Sequence, residues 1–151
     1  MALLTSADFA DLISAQLLIN LTRDTAGATT PDETVIDKVS AAAWDEMWER
    51  LGIRYTQPAT VPATGPCMDL LRKITRYGLY SRRPELLATP EGEVIRLERD
   101  DAMRRCKAGG DGDAVIAGLS LLSDTAAEAQ GGTLSYYSNA VVYTRESYQG
   151  F

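Results

Sequence analysis

Residues 31–51, PDETVIDKVSAAAWDEMWERL, constrain the fold more than any other stretch of the chain. Ile36, Val39, Ala43, Met47 and Leu51 recur at steps of three and four, so a helix places them on one face. Trp44 and Trp48, four apart, add a second apolar stripe beside it. A helix apolar over so much of its circumference must be covered from more than one side. It is therefore expected to be central, with the other helices packed around it. Thr30 reads as its N-cap, Pro31 as its first residue and Glu33 as the closing half of a capping box. Gly52 reads as its stop, in a positive-φ conformation.

The remaining elements follow from caps and breakers. Thr5 or Ser6 is placed to cap a first helix over about residues 6–19, with Phe9, Leu12, Ile13, Leu17 and Leu18 as its apolar stripe. Residues 20–30 are a Thr-rich loop that turns at Gly27. Three prolines and a glycine make residues 55–66 an extended connector. A third helix is expected from Pro66 to about Ser81, with Cys67, Leu70, Leu71, Ile74 and Tyr77 inward. Arg72, Lys73 and Arg76 fall largely on its other side, and Arg82 and Arg83 follow at the end that favours cations. Thr89-Pro90 opens a fourth helix, expected to run to about Lys107 and to stop at Gly109-Gly110. Its stripe of Val94, Ile95, Ala102 and Cys106 is thin, and its alternating charges predict one exposed side. Residues 133–144, TLSYYSNAVVYT, are β-prone. The expected fold is thus mainly α. A small four-helix bundle around a long central helix occupies residues 1–108, and 109–151 form an extended, partly β C-terminal arm. An arm rich in β-branched and aromatic residues should be ordered by contact with its own domain, a neighbouring copy or another protein.

The net charge of −6 conceals an uneven distribution. Residues 1–50 hold nine acids and three bases, residues 51–108 hold seven and eleven, and residues 109–151 hold five and one. Acidic and basic thirds can meet within one subunit or between subunits in a head-to-tail interface. Overall acidity argues against a dedicated nucleic-acid binder. No apolar run approaches the roughly 18 residues that a bilayer span needs, and no basic-then-apolar leader opens the chain, so a soluble protein without membrane contact is expected.

Little in the sequence can carry chemistry. There is no histidine, no phosphate-binding G-x-x-x-x-G-K-[ST] loop and no G-x-S-x-G elbow. Two cysteines, Cys67 and Cys106, read as buried thiols and are too few for structural zinc. Asp111-Gly-Asp113 has half of a calcium loop without its remaining ligands. No catalytic residue, metal ligand or cofactor is assigned, and an enzyme is not expected. Tyr77, Tyr80 and the arginines around them could stack on single-stranded nucleic acid, or could simply pack while the arginines pair with acids.

Four stretches in order carry a resemblance: LTSADFADLI; LTRDTAGATTPDETVIDKVSAAAWDEMWERLGIRYTQP; VPATGPCMDLLRKITRYGLYSRRPE; and the final VVYTRESYQGF. Together they resemble the head–tail connector proteins of Mu-like tailed bacteriophages, the neck or head-completion adaptors. The long helix ends in the exit Tyr55-Thr56-Gln57-Pro58, and the next helix ends in the run Arg76 to Arg83. The chain departs from that pattern in Trp44, Trp48 and a less acidic first loop, and residues 109–132 have no counterpart.

The resemblance implies a non-catalytic virion protein made in the host cytoplasm and placed in the neck between capsid and tail. Copies would form a ring below the portal, commonly of twelve, that extends the DNA channel and meets the next neck or tail-completion protein. DNA would pass without sequence-specific contact. On this view Val141, Val142, Tyr143, Arg145, Tyr148 and Phe151 are expected to dock on the portal or an adjacent subunit. Arg72, Lys73, Arg76, Arg82 and Arg83 are expected to meet acids of a neighbouring copy such as Asp32, Asp37, Asp45 and Glu49. The alternatives are a nucleic-acid-binding module using the basic third helix, or a small regulatory protein whose tail is a peptide ligand.

Overall fold

The computed structural model describes residues 3–24, 27–62 and 64–122. Among these the chain is mainly helical. A 3-10 turn, Ser6–Phe9, precedes α1 (Ala15–Thr22), α2 (Glu33–Leu51), α3 (Pro66–Ser81), the single turn α4 (Pro84–Leu87) and α5 (Pro90–Asp111). The β-prone segment 133–144 and the six expected docking residues from Val141 to Phe151 lie outside the described residues.

The first helix expected over 6–19 is two pieces. Thr5 and Asp8 bond reciprocally and tie off the 3-10 turn. Ser14 then adopts extended backbone, and its hydroxyl accepts from Leu17 N, so α1 begins afresh there. Phe9, Ile13 and Leu18 of the expected stripe are buried, with Leu21 added from the later start.

α2 is central, as its apolar pattern requires: it packs on α1, α3 and α5. Its cap differs from the expected one. Asp32, not Thr30, is the N-cap, accepting from Thr34 N at 3.0 Å. The Thr34 hydroxyl donates to the same carboxylate, and that side-chain bond first, then the backbone bond, holds the Asp32 carboxyl below the usual carboxylate range. Glu33 makes no box with Thr30 but accepts from Ser6 N at 3.1 Å, so it joins the N-terminal turn to α2. Ile36, Met47 and Leu51 are fully buried; Trp44 and Trp48 pack edge to face with ring centroids 5.4 Å apart. Gly52 ends α2 with φ −63°, not a positive value. Glycine is used there for space, since a Cβ would come 2.8 Å from the Trp48 carbonyl oxygen.

α3 crosses α2 closely at Gly78, where a Cβ would lie 2.6 Å from Val39 Cγ1. Its inward face holds Cys67, Leu70, Leu71, Ile74 and Leu79 as buried residues. Pro84 opens an extra turn, α4, that the sequence reading did not include. α5 starts at Thr89-Pro90 as expected, with Thr89 Oγ1 accepting from Gly92 N. It does not stop at Gly109-Gly110. Both glycines stay helical because they lie against the end of α2, and a Cβ on Gly110 would collide with the Arg50 carbonyl oxygen. The stop is Gly112, left-handed at φ 91°. Val94, expected in the stripe, is exposed, while Met103 is buried.

Residues 113–122, which composition placed in the arm, lie on the helices. Ile116 is buried, and its N–H donates to the Tyr55 hydroxyl at 3.0 Å. Tyr55 and Leu121 form an antiparallel bridge, flanked by Thr56 N to Ser120 O at 2.9 Å and Leu122 N to Arg54 O at 2.8 Å. The last described residues are therefore fixed beside the end of α2.

Candidate interaction surface

The basic run of α3 is engaged inside the chain. Arg72 pairs with Asp11, and Lys73 with Asp69 one turn away at 2.8 Å. Arg76 is largely buried between Glu98 at 3.1 Å and Glu91 at 3.6 Å of α5. Tyr80, also buried, donates its hydroxyl to Glu91 at 2.8 Å, and burial first, then that bond, pushes its pKa up.

Arg82 and Arg83 close the open end of α1. The last carbonyls of a helix have no partner within it. Arg82 Nη1 donates to Leu21 O at 2.7 Å and Thr22 O at 3.2 Å, while Nη2 pairs with Asp24. Arg83 donates to Arg23 O at 2.8 Å and Asn20 O at 3.4 Å. None of the five basic residues bonds Asp32, Asp37, Asp45 or Glu49 within the chain. Asp32 is occupied as a cap, whereas Asp45 and Glu49 are exposed on α2 without an ion pair among the described residues. Tyr77 is half-buried, with the Arg99 guanidinium 5.0 Å from its ring centre.

A groove of about 470 Å³ runs between α2 and α3. Val39, Ala42 and Tyr77 contribute its apolar surface; Lys38 and Arg82 border it, and Arg99 of α5 reaches in to pair with Glu46. The groove exists because Gly78 carries no side chain beside Val39. Sequence reasoning missed it. The available signal was a glycine in the middle of a helix with no turn to explain it.

Exposed large apolar side chains occur in two places. Val94 and Leu97 are 53% and 58% exposed, one turn apart on the outer side of α5. Ile53, Val115 and Leu122 are exposed on the segments that meet just past the end of α2. Cys67 and Cys106 are buried free thiols, and burial raises their pKa to about 11 and about 12. Among the described residues no cluster of three or more His, Cys, Asp or Glu could hold a metal ion. No helix there is long and apolar enough to cross a membrane.

Compared with known proteins, residues 4–135 match the family described as Bacteriophage Mu, Gp36, a span that includes 109–132, which the resemblance does not cover, and stops before the final stretch 141–151. No curated protein matches the chain.

Proposed function

The chain belongs to the Bacteriophage Mu Gp36 family, and from that premise we propose that it is a structural head–tail connector. On this reading its copies form a ring below the portal, extend the DNA channel and join capsid to tail. It is a virion component of the neck, with the portal and the next neck or tail-completion protein as partners. DNA passes through the ring without sequence-specific contact, and no reaction is catalysed.

The observation that supports this best is the division of labour in the chain. The described residues pack into one helical body, with the basic run of α3 paired within the chain. Residues 120–122, the last described, are clasped to residues 54–56 by two backbone bonds. The residues beyond that clasp include Val141, Val142, Tyr143, Arg145, Tyr148 and Phe151. They are proposed to dock on the portal or an adjacent subunit, with the aromatic side chains as anchors.

The reading is tested by light scattering of the full chain, alone and mixed with purified portal rings. The expected result is a stoichiometric assembly with portal that is lost on deletion of residues 141–151 while helical content is kept. A chain that ignores portal but shifts mass on adding DNA, with steep salt dependence, would replace the connector reading with the nucleic-acid one.

A further inference from the structure

We propose that α5 of one copy packs lengthwise into the α2–α3 groove of the next copy, with Leu97 and Val94 as the apolar ridge. This rests on the ring reading and specifies the contact that would build it.

A ring made by one repeated contact needs two different patches facing away from each other on the same subunit. α5 supplies that geometry. Successive helix positions turn by about 100°, so Leu97 and Arg99 point in nearly opposite directions. Arg99 reaches inward to Glu46 at the groove, whereas Leu97 is 58% exposed on the far side. Ridge and groove therefore lie on opposed faces.

Charge follows the same division. On the side of α5 that carries Leu97, residues 91–101 present Glu93, Asp100 and Asp101 with Arg96, since Glu91 and Glu98 turn inward to Arg76 and Arg99 to Glu46. The charged residues lining the groove are Lys38, Arg82 and Arg99 against Glu46 alone. Further along, the signs reverse on both helices. Arg104, Arg105 and Lys107 lie in the later half of α5, before its last turn, and Asp45 and Glu49 occupy the outer side of α2.

The spacings agree. Glu93 and Arg104 are eleven residues apart, as are Lys38 and Glu49, or about 16 Å along either helix. Leu97 follows Glu93 by four residues, and Ala42 follows Lys38 by four. With the two helices parallel and Leu97 over Ala42, Glu93 meets Lys38 and Arg104 meets Glu49. Lys38, Asp45 and Glu49 have no ion pair of their own among the described residues, and Glu93 and Arg104 hold only exposed pairs one turn away, with Arg96 and Asp101, which a neighbouring charge can replace. The register also brings Asp100 towards Asp45; Asp100 is drawn aside by Arg99 of its own helix at 3.5 Å.

The test uses two full-length variants at exposed positions, Leu97→Asp on the ridge and Ala42→Arg in the groove. Each should keep wild-type helical content and urea midpoint. Light scattering should find each alone monomeric where the wild-type chain assembles. An equimolar mixture holds one intact ridge and one intact groove, so it should stop at a dimer. A ring from either variant alone, or a mixture that stays monomeric, would overturn this contact while leaving the connector reading intact. A wild-type chain that remains monomeric with and without portal would overturn both.

Discussion

Gly110 of α5 lies directly against the carbonyl oxygen of Arg50 near the end of α2, with no room for a side chain between them. Helix α5 can cross α2 there only because that position lacks a Cβ. Gly110→Ala should therefore destabilise the chain by about 2 kcal/mol, because an overpacking cost of up to ~3 kcal/mol exceeds the ~1 kcal/mol that alanine returns as a helix former. Urea unfolding of the variant is the check. An unchanged midpoint would mean that the crossing can open at no cost.

Thr75 is fully buried in α3, and its hydroxyl finds no hydrogen-bond partner. A buried unsatisfied hydroxyl costs stability, and valine has nearly the same shape. Thr75→Val should raise the unfolding free energy by about 1 kcal/mol. A loss of stability in the same measurement would show that the hydroxyl is bonded in solution.

Arg82 holds two carbonyls of α1 as well as Asp24. Its side chain is about a quarter exposed, so Arg82→Ala should cost about 1–2 kcal/mol, in the lower part of the range for charge-assisted bonds. Asp24→Asn should cost well under ~1 kcal/mol, since that partner is a screened surface carboxylate. Equal losses in the two variants would mean that the ion pair, not the carbonyl contacts, carries the effect.

Burial raises both thiol pKa values, Cys67 to about 11 and Cys106 to about 12. In the unfolded chain thiols ionise near pH ~8.5, while the folded chain keeps them protonated. The thiols' contribution to stability is thus complete below that pH and declines as pH rises towards the folded values. A Cys67→Ala, Cys106→Ala chain should show a flatter decline between about pH 8.5 and 10.5. Thiol reagents at neutral pH should label the native chain only at the rate of its unfolding. Rapid labelling of either cysteine would contradict the burial.

The mainly helical fold and the central place of α2 were legible because burial writes a period of three to four into Ile36, Val39, Ala43, Met47 and Leu51. The start of α5 was legible from Thr89-Pro90, which is a purely local signal. Misreadings arose where a local signal had a tertiary cause. Gly109-Gly110 looked like a stop, but the glycines serve a helix crossing, so α5 continues to Asp111. Thr30 followed by Pro31 looked like the cap, but Asp32 takes that role while Glu33 is drawn to Ser6. The groove was not legible, because it depends on which helix Gly78 faces. For the basic run, a one-dimensional charge count could not distinguish partners in the same chain from partners in another. Arg76 and Arg82 find theirs across helices and some sixty residues of sequence, respectively.

The Arg82 clasp on α1 also bears on the order in which the chain acquires its structure. Eight residues are too few for a helix to persist alone in water. The groups that satisfy its final carbonyls arrive from beyond the end of α3. The bonds that close α1 therefore require α3 to be in place, although the amino-terminal segment is synthesised first. In the native state the same dependence makes it the first part to open, and its amide protons should exchange ahead of those in α2, α3 and α5.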